Sequence, residues 1–301
     1  MDRVDLMVTT KNRPTELALL MQSLRTQTHQ DFDLYILDDA SQNPSMNNYF
    51  VNYLIQKLKL EGHKVMMIQN NIGAGVCRAR QQLVDYVLKN STNPLMGRLD
   101  DDVILEPDYI SKLVNVIQNG YDIASGVTPH IIGNRIRRET KFVSPVINRV
   151  VLNNDGSFLI NSDDCGFEYT ESKILTADHF RSCMICKREV HDQIEYEDNL
   201  TNVGFREEEF FSFRAILKGF KIGVDTSAKV QHLVCPSGGT RNPNYGNDTL
   251  QDHKVFNRFV KKIFAKHGDF IEAYHKRLGL DDLNKLSNLN KENNLIYSRE
   301  E

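Results

Sequence analysis

Short apolar runs alternate with longer stretches of helical periodicity over residues 1–130. The apolar runs predict five strands, at residues 4–10, 34–37, 65–68, 95–99 and 123–127. Between them, apolar side chains recur every three or four positions, as on one face of a helix. Pro14 and Pro107 stand where first helical residues are expected, and Gly62 and Gly120 where helices end. This alternation predicts a mainly parallel sheet with helices on both faces.

Polar side chains follow the predicted strands of this first half. In a parallel sheet the carboxyl ends of the strands share one edge, where ligands bind. The sequence therefore predicts a crevice that gathers residues far apart in the chain. The polar residues at these strand ends are Thr9, Thr10, Asp39, Asn70, Asn71, Asp100, Asp101 and Asp102.

The pattern changes after residue 130. Short apolar pieces divided by Asn, Asp, Gly and Ser turns predict an antiparallel insertion over residues 131–176. An acidic, aromatic helix is expected within 201–219, followed by two strands at 220–224 and 229–232 and a Gly-, Pro- and Asn-rich loop at 235–248. We divide the chain into one domain, 1–248, with halves 1–130 and 131–248, and a helical extension, 249–301, with a frayed polar tail.

Composition narrows the class of protein. The formal net charge of −3 argues against a nucleic-acid binder and a polybasic membrane anchor. No apolar run reaches the roughly 18 residues that a membrane span needs, and the first strand begins too early for a signal peptide. Five cysteines without a secretory signal suit a reducing cytoplasm. Cys183 and Cys186 form C-x-x-C on a predicted strand, which places them on opposite faces and favours buried structural thiols.

Three adjacent carboxylates, Asp100, Asp101 and Asp102, follow the fourth predicted strand. Such charges repel one another unless a cation or hydrogen-bond donors neutralise them. Oxygen ligands suit Mg²⁺ or Mn²⁺, which keep coordination positions for phosphate oxygens. A solvated acidic loop that caps the next helix is the alternative.

The order of motifs resembles glycosyltransferase family 2, whose fold is GT-A, a Rossmann-like α/β fold. The resemblance covers about 110 residues and rests on several weak motifs in the right order. They are the opening strand 4–10 with Lys11-Asn12-Arg13-Pro14, Leu37-Asp38-Asp39-Ala40-Ser41, Asn70-Asn71-Ile72-Gly73-Ala74-Gly75 with Ala79-Arg80, and Arg98-Leu99-Asp100-Asp101-Asp102 as the family's D-x-D.

The resemblance implies roles for these residues in the first half. Thr9 and Lys11 would line the pocket for the base, and Asp39 would accept a hydrogen bond from it. Asp102 would coordinate the metal, Asp100 would face the ribose or assist the metal, and Asp101 has no clear assignment. Gly73 and Gly75 suit either a phosphate loop or close helix packing. The implied nucleotide-binding set is Thr9, Lys11, Arg13, Asp39, Asn71, Arg80, Asp100 and Asp101.

The second half resembles the acceptor-binding part of the family. Counting back from Arg214, Glu208 falls where the family has its catalytic Asp, a longer side chain here, and the choice between Glu207 and Glu208 stays open. His232 matches a position that completes the metal site in some members. Asp178 and His179 are candidates for sugar or acceptor contacts, and Arg241 on the 235–248 loop for phosphate.

The resemblance thus implies an inverting, metal-assisted transfer of a sugar from a nucleoside-diphosphate sugar, with UDP favoured, to an acceptor hydroxyl. The acceptor class stays open among a glycan, a lipid-linked molecule and a small molecule, and the oligomeric state is undetermined. A sugar nucleotidyltransferase is one alternative, although residues 9–14 lack the glycines typical of that class. A non-catalytic nucleotide-sugar-binding module is the other, although residues 207–209 keep their carboxylates.

Overall fold

The computed structural model describes residues 2–129, 138–140 and 144–280. Residues 131–137 and 141–143 of the predicted insertion and the part of the predicted C-terminal extension beyond residue 280 lie outside these ranges. No helix in the described ranges is long and apolar enough to cross a membrane.

The first half alternates strands and helices as its apolar pattern predicts. One short strand, β5, was not foreseen, because its three residues follow the aspartates directly. The elements are β1 (Val4–Thr10), α1 (Pro14–Arg25), β2 (Phe32–Asp38), a 3₁₀ turn (Ser45–Asn47), α2 (Tyr49–Leu60), β3 (Val65–Gln69), α3 (Val76–Asn90), β4 (Leu95–Asp100), β5 (Val103–Leu105), α4 (Tyr109–Gln118) and β6 (Ile123–Val127).

The second half contains shorter strands and four helices in its described residues. Its elements are β7 (Arg138–Thr140), β8 (Val146–Ile147), β9 (Val150–Leu152), β10 (Phe158–Ile160), β11 (Phe167–Tyr169), β12 (Ile174–Ala177), β13 (Met184–Lys187), α5 (Arg188–Gln193), α6 (Glu207–Lys218), β14 (Ile222–His232), α7 (Tyr245–His267) and α8 (Phe270–Arg277).

The main sheet has the strand order β3-β2-β1-β4-β13-β6-β14-β12-β8, with β5 paired to β14. β1 lies parallel to both β2 and β4, so Thr10 stands beside Asp38 and Thr9 beside Asp100. β13 is antiparallel to both of its neighbours, β4 and β6. The mainly parallel α/β sheet predicted from the sequence is confirmed, and its carboxyl edge brings the strand-end side chains together.

The predicted antiparallel insertion is confirmed only in part. β9 and β10 form an antiparallel hairpin, but β11 pairs with β7 in parallel. β12 joins the main sheet beside β14 and β8. Turn residues between short strands do not determine which strands pair, so the spacing alone could not separate these arrangements.

The two strands predicted at 220–224 and 229–232 are wrong, because the structure has one continuous strand, β14. Its register with β6 shifts between Val224 and Lys229. Asp225 Oδ1 accepts hydrogen bonds from the Ser227 backbone N–H and hydroxyl, at 2.8 and 2.7 Å. This local turn chemistry resembles a strand end in sequence, whereas here it forms a bulge within the strand. β14 therefore carries His232 to the edge where β4 ends.

The C-terminal helices pack into the core of the second half. α7 begins at Tyr245, earlier than the loop prediction allowed. The rings of Phe210 on α6 and Phe256 on α7 meet edge to face at 5.0 Å. The Tyr274 hydroxyl on α8 accepts a hydrogen bond from the Ile222 N–H at 3.0 Å. These contacts tie residues 245–280 to the helix that carries the acidic segment.

Cys183 and Cys186 are fully buried, on opposite faces of the main sheet and in separate hydrophobic clusters. Burial raises the pKa of the Cys183 thiol to about 12 and that of Cys186 further. Both thiols are therefore protonated and pack as small apolar groups, as the strand pattern predicted.

Candidate active site

A crevice of about 480 Å³ opens at the carboxyl edge of β1, β2 and β4. Residues from both halves of the chain line it, so the sheet edge meets the start of α6, the end of β14 and the loop after it. Most of the residues singled out from the sequence lie here. They are Thr9, Lys11, Arg13, Asp39, Arg80, Asp100, Asp101, Asp102, Glu207, Glu208, His232 and Arg241.

Asp100 closes β4 and is held by donors from two other elements. Its Oδ1 lies 2.7 Å from Arg80 Nη2, and its Oδ2 accepts a hydrogen bond from the Ser182 hydroxyl at 2.7 Å. Burial works to raise the pKa of Asp100, but the positive charges of Arg80 and Arg98 outweigh it and lower the pKa to about 2. Asp100 is therefore a fixed carboxylate, and its two oxygens are already engaged.

Arg13 neutralises the other two aspartates rather than facing the crevice as a free cation. Its Nη1 lies 2.9 Å from Asp101 Oδ1 and 2.9 Å from Asp102 Oδ2. Asp101 also accepts a hydrogen bond from the Thr10 hydroxyl at 2.8 Å. Burial raises the pKa of Asp101 to about 6, with Arg13 opposing the rise and Asp102 adding to it. The repulsion expected within the triplet is thus relieved by an internal arginine.

Asp102 and His232 form the pair best suited to hold a cation. His232 Nε2 lies 3.2 Å from Asp102 Oδ1, and the Leu233 N–H donates to the Asp102 carbonyl at 2.8 Å. Burial lowers the pKa of His232, but the hydrogen bond to Asp102 and the negative charges of Asp102 and Asp100 outweigh it and leave the pKa raised. Over the described ranges, no three His, Cys, Asp or Glu side chains cluster as a complete metal site.

Asp39 organises the glycine-containing turn opposite β1. Its Oδ1 accepts from the Ala74 N–H at 2.7 Å, and its Oδ2 from the Gly75 N–H at 3.0 Å. Gly75 has a φ of 85°, and a Cβ there would lie 2.7 Å from Asn202 Cα, so the close approach requires glycine. Packing therefore accounts for this glycine. Asn71, predicted to bind nucleotide, is exposed and outside the crevice lining.

The acidic residues at the start of α6 have different surroundings. Glu207 is 3% exposed and contacts Arg80 and Arg98, with Arg98 Nη1 at 3.0 and 3.1 Å from its two oxygens. The Glu208 side chain is 23% exposed, and its Oε1 lies 3.2 Å from Arg98 Nη2. Arg206, with a φ of 72°, turns the chain into the helix. Both side chains line the crevice, but Glu207 is locked between two arginines, whereas Glu208 is the more exposed of the two.

Several polar residues of this region were not predicted from the sequence. Arg98 shows the signal that could have found it, since it interrupts an otherwise apolar strand and so predicts a buried acidic partner. The others have no local signature, because they reach the crevice only through the packing of later segments. They are Arg181, Ser182, Arg206 and Glu209.

Asp178 and His179 are not at the crevice, and their assignment to the sugar or acceptor was wrong. Both are fully buried. Asp178 accepts from the Val150 N–H at 2.7 Å and lies 2.6 Å from His275 Nε2. His179 Nε2 lies 2.7 Å from the Asn161 carbonyl oxygen. These contacts join the residues after β12 to the insertion and to α8, and neither side chain lines the crevice.

The loop after β14 is anchored on the turn that follows β1. The Gly239 N–H donates to the Lys11 carbonyl at 2.7 Å, and Arg13 Nε donates to the Ser237 carbonyl at 3.2 Å. Arg241 lies exposed over the Tyr245 ring, at 4.7 Å from its centroid. The loop therefore brings an arginine and an aromatic ring to the crevice rim.

Comparison with models of protein families identifies one family. The model of glycosyl transferase family 2 matches residues 5–194, more than half of the chain. Comparison with curated protein sequences finds no match.

Solved structures with similar folds share little sequence with the chain. GalNAc-T7 with UDP, GalNAc and Mn²⁺ is 14% identical with a TM-score of 0.65, over 91% of this chain and 50% of that one. TarS 1-349 of S. aureus in complex with UDP-GlcNAc is 12% identical with a TM-score of 0.56, over 79% of this chain and 60% of that one. The longer TarS chain is 13% identical with a TM-score of 0.53, over 78% of this chain and 37% of that one.

The chain spans between about a third and three fifths of those solved chains, and at such identity the likeness establishes the fold alone. The family match covers the β1 turn, Asp39 and the aspartate triplet, all at one sheet edge. Because the family model matches more than half of its residues, the chain belongs to glycosyl transferase family 2, and its fold is GT-A.

Proposed function

We propose that the protein is a metal-assisted, inverting glycosyltransferase that uses a nucleoside-diphosphate sugar, with UDP favoured. The observation that carries this proposal is the composition of the crevice. A histidine–aspartate pair, His232 and Asp102, and a separate, partly exposed carboxylate, Glu208, line the same cavity. Inverting transfer needs a cation site near the leaving diphosphate and a general base near the acceptor, and the two must lie at different places.

The nucleotide would lie over the ends of β1 and β2. Thr9 and Lys11 would contact the base, and Asp39 has lone pairs left to accept from it while holding its turn. Lys11 Nζ lies 3.9 Å from Asp39 Oδ2, so the pair forms one polar wall. TarS and GalNAc-T7 have structures with UDP, which supports UDP as the first nucleotide to test.

The residues present suit a hard divalent cation such as Mn²⁺ or Mg²⁺. Asp102 Oδ1 and His232 Nε2 face each other across 3.2 Å, and a cation bound by only one or two protein ligands takes the rest from phosphate and water. When bound, the cation neutralises charge that develops on the departing diphosphate. Asp100 is a weaker candidate ligand, since Arg80 and Ser182 engage its oxygens. Asp102 and His232 would hold the cation, with Arg13 fixing the Asp102 carboxylate.

Glu208 is the general base in this proposal. Both oxygens of Glu207 are bound by Arg98, and Arg80 also contacts Oε1, so Glu207 is unavailable to a substrate. Glu208 takes the proton of the acceptor hydroxyl as that oxygen bonds to the anomeric carbon. The bond between the anomeric carbon and the diphosphate oxygen breaks, and its electron pair leaves with the nucleoside diphosphate. The acceptor is a hydroxyl compound, with glycan, lipid-linked and small-molecule forms to be tested.

Donor turnover tests the proposal directly. Purified protein would be mixed with Mn²⁺, a panel of nucleotide-sugars and acceptors of each class, and released nucleoside diphosphate would be measured. The expected result is release with one donor that depends on acceptor and on metal. Nucleotide binding without release from any donor would instead identify a non-catalytic binding module. Formation of a nucleotide-sugar from a sugar phosphate and a nucleoside triphosphate would identify a nucleotidyltransferase.

A further inference from the structure

Arg98 is a buried charge in the strand that leads to the aspartates. It is 2% exposed, and its guanidinium carbon lies 5.5 Å from the centre of the Phe180 ring. Its Nε donates to the Ser182 carbonyl at 2.9 Å. Arg98 is not among the residues that line the crevice, so no substrate would touch it. Its charge nevertheless acts at the crevice through the two glutamates that it holds.

The two glutamates accept from the terminal nitrogens of Arg98, and Nη2 also donates to the Ser182 carbonyl. Nη1 contacts both oxygens of Glu207, at 3.0 and 3.1 Å, whereas Nη2 contacts Oε1 of Glu208 at 3.2 Å. The contact of Glu208 with Arg98 is made through Oε1 and not through Oε2. One carboxylate oxygen of Glu208 is thus fixed from behind, and the other is left for a proton from the crevice.

Glu207 keeps this arginine in place. It binds Arg98 and Arg80 together, and Arg80 in turn lies 2.7 Å from Asp100. A planar guanidinium with fixed N–H directions holds its partners in one geometry, which a flexible ammonium does not. Packing against Phe180 and the bond to the Ser182 carbonyl leave Arg98 little freedom to turn. The orientation of Glu208 therefore depends on a rigid network that lies beneath the crevice.

We propose that Arg98 is a positioning residue for the general base, holding Glu208 Oε1 so that Oε2 faces the acceptor hydroxyl. This inference rests on the proposed function, since it assigns Arg98 a part in glycosyl transfer. Glu207 is the buried counter-ion of Arg98 and Arg80. A misplaced base slows proton transfer without changing how the nucleotide binds, because Arg98 does not line the crevice and Arg80 and Ser182 still hold Asp100.

The test compares Arg98→Met and Arg98→Lys with the wild type, using kcat and the affinity for UDP with Mn²⁺ by calorimetry. We expect Arg98→Met to lower kcat about 100-fold, while the dissociation constant for UDP and the acceptor KM stay within about twofold of wild type. Arg98→Lys keeps the charge but offers one nitrogen in place of three, so it should recover part of kcat. Arg188→Met removes an arginine that donates to the Leu88 carbonyl, away from the crevice, and should keep wild-type kcat.

Arg98→Met leaves Glu207 short of a partner, so the protein could lose stability for that reason alone. Arg98→Met combined with Glu207→Gln removes the unpaired charge, and thermal unfolding shows which variants are folded. A folded variant that lacks Arg98 yet keeps wild-type kcat would overturn the inference. Equal losses of kcat and UDP affinity would also overturn it, since they indicate a general structural role. Failure of the wild type to transfer any sugar would instead overturn the proposed function, and this inference with it.

Discussion

His232 Nε2 lies 3.2 Å from Asp102 Oδ1, although the two residues come from opposite halves of the chain. The contact arises because β14 runs antiparallel to β5, which places His232 opposite Val103, the residue after Asp102. A continuous β14 is required for this register. β14 pairs with β6 on both sides of the register shift between Val224 and Lys229, and from Val230 it pairs with β5.

His232→Ala should weaken Mn²⁺ binding in the presence of UDP by about tenfold or more, because it removes one of the two protein ligands proposed for the cation. Calorimetric titration of Mn²⁺ into the UDP-bound protein measures this without any need for turnover. His267→Ala, at an exposed position on α7, serves as the matched control and should bind Mn²⁺ like the wild type. Unchanged affinity in His232→Ala would remove His232 from the metal site.

Glu208→Gln should lower kcat by about 10²–10⁴-fold and leave UDP affinity unchanged, because the amide cannot take the acceptor proton. Steady-state kinetics and calorimetry on the same preparation measure the two quantities. Full activity in this variant would show that another group is the base.

Glu207→Gln should act mainly on stability, since it weakens the buried contacts to Arg80 and Arg98. Removing one partner of such a buried pair costs about 3–5 kcal/mol in the free energy of unfolding. Replacement of the carboxylate by the neutral amide should cost part of that amount. Thermal unfolding of Glu207→Gln beside Glu208→Gln separates the two roles. A Glu207→Gln variant with wild-type stability would contradict the locked geometry.

Asp252→Ala should loosen the segment that leads into α6. Asp252 is fully buried, and its carboxylate accepts from the Thr201 N–H at 2.7 Å, the Thr201 hydroxyl at 2.9 Å and the Phe205 N–H at 2.8 Å. Loss of these bonds should cost about 3 kcal/mol in the free energy of unfolding. Chemical denaturation measures the change. Gln251→Ala, at the exposed neighbouring position, should have little effect. Equal stability in the two variants would contradict the role given to Asp252.

His191 should make the protein sensitive to mild acid. Burial lowers its pKa to about 3, with Arg98 and Arg188 adding to the effect, while the unfolded chain keeps the ordinary value of 6.5. Between these values the unfolded state binds a proton that the folded state does not. The stability from this group is therefore complete above pH 6.5 and falls by about 1.4 kcal/mol for each unit below it.

His191→Phe should lose less stability than the wild type between pH 7 and pH 5, because a ring packed against Tyr196 and Phe211 remains without a titratable nitrogen. Denaturation midpoints across that pH range give the comparison. His267→Gln, exposed on α7, should follow the wild-type curve. A His191→Phe curve parallel to the wild type would show that other groups cause the acid sensitivity.

The sequence by itself determined the α/β class and which strand ends collect around the crevice. Hydrophobic periodicity carries that information locally, and parallel strands necessarily share a carboxyl edge. Thr9, Asp39 and Asp100 could therefore be placed together from their positions after apolar runs. The same reasoning failed at Asp178, because a polar residue at a strand end is compatible with a ligand and with a buried partner such as His275.

Only the tertiary structure decided which charges meet. Arg13 joins Asp101 and Asp102, and Arg98 joins two glutamates on a helix that comes much later in the chain. A buried arginine needs an acidic partner, but many carboxylates in the sequence satisfy that need equally well. The choice depends on strand register and on the way α6 packs over β4, since both are set by contacts between distant segments rather than by local pattern.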